Sequence, residues 1–147
     1  MPTIRTLIFS AFAAGLLLVS AALADPRTDY MLNCRGCHGP DGRGIPEGAP
    51  SFRDYVAKFL AVPGGREYLV RVPGTAQSEL SDARTAALLN WMVREFSPTQ
   101  VPGDFTPYTE DEIAGLRHAP LTEVTAVRRA LTAAIAARDA ASARSQP

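Results

Sequence analysis

Neither sign of charge dominates this sequence of 147 residues, in which 15 Lys and Arg side chains balance 15 Asp and Glu. Proteins that bind nucleic acid concentrate positive charge on one face, so we expect no nucleic-acid partner. Lysine is almost absent, since Lys58 is the only one, and this argues against docking through a ring of lysines. The sequence also has no phosphate-binding glycine loop, no paired Ser and His and no carboxylate pair in a recognisable motif, which argues against an enzyme.

The first 24 residues have the pattern of a secretory signal peptide. Arg5 supplies a positive charge, residues 7–19 form an apolar run, and Ala22-Leu23-Ala24 offers the small residues that a signal peptidase needs. An uncleaved membrane anchor is the alternative, although the run is shorter than the roughly 20 apolar residues that span a bilayer. We expect cleavage before Asp25, with residues 25–147 exported to the periplasm and free of any membrane span.

Two cysteines followed directly by a histidine form the most informative motif. Cys34-Arg35-Gly36-Cys37-His38 has the Cys-x-x-Cys-His spacing by which c-type haem is attached. The two thiols add to the two vinyl groups on one edge of the porphyrin, and the histidine that follows ligates the iron. The motif therefore predicts one haem c, covalently bound through Cys34 and Cys37, with His38 as an axial ligand.

Three other interpretations use the same residues. A thioredoxin-like redox pair also has the Cys-x-x-Cys spacing, but it belongs at a strand-to-helix turn, and no convincing strand precedes Cys34. A zinc site requires four ligands, and His118 is the only further Cys or His beyond this motif. A disulfide between Cys34 and Cys37 would close a very short loop and stabilise little. Haem attachment is the leading interpretation.

Capping residues and apolar spacing predict an all-α chain. Asp25 and Ser81 are typical N-caps, and each stands ahead of apolar residues at helical spacing. Glycine and proline are concentrated in residues 39–50, which predicts a loop. The predicted helices span residues 26–35, 52–60, 65–72, 81–96, 109–117 and 122–141, of which the second and third are short helical turns closed by Pro63-Gly64 and Pro73-Gly74.

From residue 26 to residue 97 the chain resembles the class I cytochrome c family. The resemblance rests on the Cys-x-x-Cys-His motif, the helix before it, the glycine-rich loop after it and the helix that contains Trp91. It implies a small all-α domain wrapped around one haem, in which Trp91 packs across the first helix. It also implies that the carbonyl of Pro50 accepts a hydrogen bond from Nδ1 of His38 and so fixes the imidazole tautomer. Pro50 and Trp91 are therefore candidate cofactor-binding residues, and the alternative for Pro50 is a turn residue only.

The chain departs from this family at the second iron ligand, which is usually a methionine shortly before the last helix. The corresponding residues, 72–82, contain no methionine. Met92 is the candidate for a distal ligand, although a packing role in the core is the preferred interpretation. An open coordination position is the other alternative, and it would lower the reduction potential and admit small ligands. Weaker ligand candidates are Met31, Lys58, Gln77 and His118.

Residues 99–147 lie outside the resemblance and form a predicted C-terminal helical extension. The apolar stripe of the last helix is narrow and rich in alanine, so this helix would be marginal alone. We expect the extension to pack on the haem domain, residues 25–98, with Phe105 and Tyr108 as anchors. Docking on another chain and partial disorder are the alternatives. The arginines of the last helix are interpreted as a solvated face rather than a binding patch; they are Arg128, Arg129 and Arg138.

These features predict an electron carrier rather than an enzyme. The expected function is electron transfer from a periplasmic dehydrogenase to a cytochrome or an oxidase, with those redox proteins as partners. The alternative is a haem protein that binds nitric oxide, carbon monoxide or peroxide at an open iron position. A third interpretation makes the protein an obligate subunit of a complex, assembled through the extension.

Overall fold

Helices make up the regular structure of residues 25–145, the part of the chain that is described in a computed structural model. No strand occurs among these residues, and the all-α prediction is confirmed for them. The predicted signal peptide falls on residues 1–24, which lie outside the described residues. Between residues 25 and 145, no helix is both long enough and apolar enough to cross a membrane. The α-helices are α1 Pro26–Asn33, α2 Arg35–His38, α3 Gly65–Arg71, α4 Pro73–Ala76, α5 Asp82–Phe96, α6 Glu110–Arg117 and α7 Val124–Arg144.

The first predicted helix is divided in two at the first cysteine of the motif. The Asp25 carboxylate accepts a hydrogen bond from the Arg27 amide at 3.2 Å and caps α1, as expected. The backbone of Cys34 (φ −122°) leaves the helical region, so α1 ends one residue earlier. The remaining motif residues form the separate turn α2, and the prediction of one helix over 26–35 is corrected in this respect.

Helix α5 is the central element, and α1 packs across it. Ser81 caps α5 by accepting a hydrogen bond from the Arg84 amide at 3.3 Å. Tyr30 of α1 is fully buried, and its ring lies 4.9 Å from that of Phe96 in α5. Beside it, the buried Asp29 carboxylate pairs with the guanidinium of Arg84. The crossing of α1 and α5 holds the motif against the core.

The segment between the motif and α5 consists of short helices. The turn predicted over 52–60 is a 3₁₀-helix, Val56–Ala61, and α3 begins four residues after its end, at Gly65. A Cβ at Gly65 would lie 2.0 Å from the Phe59 carbonyl oxygen, so only glycine fits this close approach. Pro73 does not end the helical region as predicted, because it occupies the first position of α4, where a missing N–H costs nothing.

The C-terminal extension packs on the preceding residues, as expected. Helix α6 contacts α5 and α3, and α7 contacts α3 and the 3₁₀-helix. Leu131 and Ile135 of α7 are buried. Lys58 of the 3₁₀-helix pairs with Asp139 of α7 at 2.8 Å. The extension therefore has both an apolar and an ionic attachment to the rest of the chain.

Candidate functional site

A cavity of about 320 Å³ lies beside the Cys-x-x-Cys-His motif. Its size falls in the range of pockets that hold small ligands and cofactors. Most of the side chains around it are apolar, so a bound group would be shielded from water over much of its surface. The residues around it include Cys34, Cys37, His38, Pro50, Phe52, Tyr68, Val72, Pro73, Gly74, Thr75, Met92, Val124 and Arg128.

Both cysteines line the cavity as free thiols. Cys34 is half-buried and Cys37 is exposed. Burial raises the pKa of the Cys34 thiol to about 11, and the nearby charge of Asp29 adds to this effect. A redox-active pair needs a lowered thiol pKa, so this environment argues against a thioredoxin-like function. The two sulfur atoms are not joined by a disulfide in this structure.

His38 is held in one orientation by its second ring nitrogen. Nδ1 lies 3.0 Å from the Pro50 carbonyl oxygen. A carbonyl only accepts, so Nδ1 carries the proton and Nε2 keeps its lone pair. The Phe52 ring stacks on the imidazole with centroids 4.0 Å apart. Burial lowers the pKa of His38, and the hydrogen bond to Pro50 opposes that effect. The imidazole is therefore neutral near pH 7 and suited to ligate a metal.

The glycine-rich loop folds back in order to bring Pro50 to His38. Gly44 has a positive φ of 72°, and its amide donates to the His38 carbonyl at 2.8 Å. A Cβ at Gly44 would lie 2.4 Å from the Ala49 carbonyl oxygen. Ile45 donates its amide to that same oxygen at 3.0 Å. The loop that composition predicted over 39–50 is thus a tight turn whose shape positions the partner of the imidazole.

Trp91 and Met92 occupy different places although they are neighbours on α5. The Trp91 ring lies 5.6 Å from Tyr30, so it packs across the first helix, as the resemblance implies. Trp91 is not among the described residues that surround the cavity. The structure therefore does not support a direct contact between Trp91 and the cofactor. Met92 is buried and does line the cavity.

The weaker ligand candidates lie elsewhere. Within residues 25–145, none of the four is among the residues that surround the cavity. Lys58 is paired with Asp139, and His118 is exposed at the end of α6. The other two are Met31 and Gln77. The zinc interpretation also lacks support, because no group of three or more His, Cys, Asp or Glu side chains in the described part of the chain is arranged so that it could hold a metal ion.

Two functional candidates were not identified from the sequence. Tyr68 of α3 and Arg128 of α7 both line the cavity. The interpretation of the α7 arginines as a solvated face holds for Arg129, which is exposed, but is wrong for Arg128. Helical spacing placed Arg128 next to the apolar position Val127 and so near the edge of the buried stripe. Helical spacing did not indicate which other part of the chain would contact that edge of the helix.

The residues around the cavity fit a covalently attached haem. Two free thiols and a neutral imidazole line the same apolar cavity. Attachment of both thiols to a porphyrin would bring the His38 Nε2 to the iron, with its other nitrogen already fixed by Pro50. The same arrangement would serve neither a zinc ion nor a dithiol–disulfide exchange.

Comparison with known proteins identifies relatives over most of the chain. No family model matches it. A cytochrome c-552 of Thermus thermophilus is 34% identical, in an alignment that covers 86% of this chain and 97% of the relative. A second Thermus thermophilus protein named cytochrome c-552 is also 34% identical, over 67% of this chain and 90% of that relative. The likeness therefore extends well beyond the five residues of the motif.

Proposed function

The chain belongs to the monohaem c-type cytochromes, and on this premise we propose that it carries electrons in the periplasm from a dehydrogenase to a cytochrome or an oxidase. Its covalently bound haem c supplies a one-electron ferric–ferrous couple. The chain attaches this group, supplies an axial ligand and surrounds it with apolar side chains. It acts as an electron carrier, and its own residues influence the reduction potential through that ligand and those surroundings.

One observation carries the assignment of roles: both thiols and the imidazole line the same apolar cavity. In this proposal Cys34 and Cys37 form the thioether bonds, and His38 ligates the iron through Nε2. Pro50 holds Nδ1 at 3.0 Å, which keeps the ring from rotating and makes Nε2 a better electron-pair donor. Trp91 contributes indirectly by packing against Tyr30.

The division of the chain is part of the proposal. Residues 25–98 form the haem domain, and residues 99–147 form an extension that completes it. Support comes from Val124 and Arg128, which belong to the extension and yet line the cavity. The extension accordingly excludes water from the cofactor on one side, and its first role lies within the chain rather than in assembly with another protein.

A redox partner is expected to approach where the cofactor edge is least covered. Cys37 is exposed, and Leu32 and Ile45 are large apolar side chains with exposed fractions of 76% and 50%. They belong to segments on either side of Cys37 in the sequence. Exposed apolar side chains favour short-lived docking of a protein surface. Leu32 and Ile45 are therefore our candidates for the contact with the electron donor or acceptor.

The test is expression of the full chain in a bacterium that matures c-type cytochromes in its periplasm. The purified protein should retain haem in a denaturing gel, begin at Asp25 by mass spectrometry and titrate reversibly with one electron. Replacing Cys34 and Cys37 together by Ala should abolish covalent haem. His38→Ala should change the spectrum, whereas His118→Ala serves as the matched control and should not. A wild-type product without covalent haem would contradict the proposal.

A second proposed function is the binding of a small ligand at the haem iron. The part of the cavity wall formed by residues 72–75 favours it. Four consecutive residues of this segment line the cavity, and none has a side chain that commonly ligates iron. The usual methionine of the family is missing there, which leaves an open coordination position for a small ligand. We propose that Met92 packs in the wall instead of ligating. A Met92→Leu variant should then keep the wild-type spectrum, and loss of an iron–thioether absorption band would contradict this.

A further inference from the structure

The hydrogen bond to Pro50 leaves the imidazole of His38 one remaining motion. It fixes Nδ1, which lies 3.0 Å from the Pro50 carbonyl oxygen. Carbonyl oxygens accept over a broad range of directions, so a bond at this one atom still lets the plane of the ring rock. A flat group against the face of the imidazole removes that motion. The Phe52 ring has this position, with its centroid 4.0 Å from that of the imidazole and its plane inclined by 20°.

Backbone hydrogen bonds hold Phe52 in place. Its amide donates to the Gly42 carbonyl at 2.8 Å, and its carbonyl accepts from the Val56 amide at 3.0 Å. Two residues further along the chain, the Asp54 amide donates to the Phe96 carbonyl at 2.7 Å. These bonds connect the segment around Phe52 to the glycine-rich loop, to the 3₁₀-helix and to the end of α5. A backbone shift that moved the Phe52 ring off the imidazole would break them.

The side chain of Phe52 is supported by Phe96, the last residue of α5. The two rings are stacked with centroids 6.0 Å apart and planes inclined by 27°. Phe96 is 5% exposed, and its ring also packs on the buried Tyr30 at 4.9 Å. Close packing of this kind leaves a side chain little room to move. The imidazole of His38 is thus connected through two phenyl rings to the crossing of α1 and α5.

We propose that Phe52 is a positioning residue for the axial ligand and that its ring stabilises the ferric state of the haem. This rests on the proposed function, in which His38 ligates the iron. The stacked ring fixes the plane of the imidazole and so the direction in which its π orbitals meet the iron. The face of a phenyl ring is negative, and the imidazole carries more positive charge when the iron is ferric. The stack therefore favours the ferric form through the attraction that places cations over aromatic rings.

The first measurement is proton NMR of the full-length ferric holoprotein with cyanide bound to the iron. Cyanide is cylindrical and imposes no direction of its own, so the spread of the haem methyl shifts reports the plane of the His38 imidazole. Phe52→Leu keeps an apolar side chain without a flat face. The spread should narrow in this variant, because an imidazole that samples several planes averages the shifts. Phe52→Tyr keeps the ring and should retain the wild-type spread.

The second measurement is the reduction potential. Phe52→Leu should raise it by about 20–40 mV, a change of about twofold to fivefold in the ferric–ferrous equilibrium at roughly 59 mV per tenfold for one electron. Phe96→Leu removes only the support of the stacked ring, so it should act in the same direction and less strongly. Phe105→Leu is the matched control, because it makes the same replacement in a described residue that does not surround the cavity. It should change neither the potential nor the methyl shifts.

Three results would overturn the role of Phe52, and each is distinct from failure of the electron-carrier proposal. A wild-type spread of methyl shifts in Phe52→Leu would show that Pro50 alone fixes the plane of the imidazole. Equal changes in Phe52→Leu and Phe52→Tyr would show that the shape of the side chain matters and its stacked face does not. A lower potential in Phe52→Leu would assign the ring to the exclusion of water. All three leave electron transfer intact, whereas a wild-type protein without covalent haem would contradict the proposed function itself.

Discussion

Asn90 of α5 binds the backbone of Tyr108 through two hydrogen bonds. Its amide nitrogen donates to the Tyr108 carbonyl at 3.0 Å, and its oxygen accepts from the Tyr108 amide at 2.8 Å. The Tyr108 side chain is 3% exposed, and its hydroxyl donates to the Arg66 carbonyl at 3.0 Å. Asn90 thus binds the linker of the extension to the central helix, and the Tyr108 hydroxyl binds the same linker to α3.

Asn90→Ala should lower the free energy of unfolding by about 1–3 kcal/mol, because it leaves a backbone donor and acceptor without partners in a poorly hydrated place. Chemical denaturation of the holoprotein measures this. Gln100→Ala is a suitable control, since its amide only reaches the neighbouring Thr99 at 3.4 Å on the surface. Equal stability of the two variants would show that the pair of hydrogen bonds contributes nothing.

The last helix is predicted to stabilise the protein mainly through Ile135. This side chain is 1% exposed, so Ile135→Ala removes buried apolar volume and should cost about 2–5 kcal/mol. Ile45→Ala is the matched control, because Ile45 is 50% exposed and its replacement should cost less than about 1 kcal/mol. Thermal unfolding of both holoproteins provides the measurement. A small effect of Ile135→Ala would mean that α7 detaches from the haem domain in solution.

The sequence predicted the elements whose determinants are local. Asp25 and Ser81 cap the helices that were expected after them, because a cap depends only on residues within one turn. The Cys-x-x-Cys-His motif predicted the attachment thiols and the axial ligand from its spacing alone, and the structure places all three residues in the wall of one cavity. The break at Cys34 was not predicted, since it interrupts a segment whose composition still favours a helix.

The part of the cavity wall formed by Tyr68 and Arg128 could not be predicted from the sequence, for a physical reason. Tyr68 and Arg128 are 60 residues apart in the chain, and they line the same cavity only because α7 packs on α3 and the 3₁₀-helix. Helical periodicity identifies the buried face of α7 but not the surface that this face covers. The same limit applies to Pro73, whose role as the start of α4 depends on the extended backbone of Val72 (ψ 138°) before it.

Alkaline pH should destabilise the protein through Tyr30. Its hydroxyl donates to the Gly39 carbonyl at 2.6 Å, and burial, with a smaller contribution from the negative charge of Asp41, raises the pKa of Tyr30 to about 12. An unfolded chain releases this proton near pH 10. The contribution of Tyr30 to the free energy of unfolding is therefore fully present below about pH 10, and it is lost as the pH rises towards 12.

Tyr30→Phe should make the decline in stability above pH 10 shallower, and it should cost about 1 kcal/mol near neutral pH through the lost hydrogen bond. Urea denaturation of the wild type and the variant across the alkaline range measures both effects. Tyr55→Phe is the control, because the Tyr55 hydroxyl forms no hydrogen bond within residues 25–145 and its ring is partly exposed. If the wild-type and Tyr30→Phe curves run parallel above pH 10, the buried proton is not the cause.

Arg117 connects the extension to the cavity wall. Its guanidinium donates to the carbonyl oxygens of Ser78 at 2.6 Å and Leu80 at 2.8 Å, and its Nε donates to that of Ala76 at 3.1 Å. It also pairs with Asp82 at 2.8 Å. Ala76 is the last residue of α4, whose first three residues line the cavity. One side chain of α6 therefore fixes the segment in which the family usually has its methionine.

Arg117→Lys keeps the charge but loses the planar fork that reaches several acceptors at once. We expect a loss of at least about 2 kcal/mol in the free energy of unfolding, because the Arg117 side chain is only 12% exposed and its carbonyl partners are left without a donor. Release of α4 should also change the Soret absorption of the holoprotein, since α4 lies in the cavity wall. Arg129→Lys, on an exposed position of α7, should change neither quantity. If Arg117→Lys lowers stability without altering the spectrum, Arg117 supports the fold of the extension and has no part in shaping the haem site.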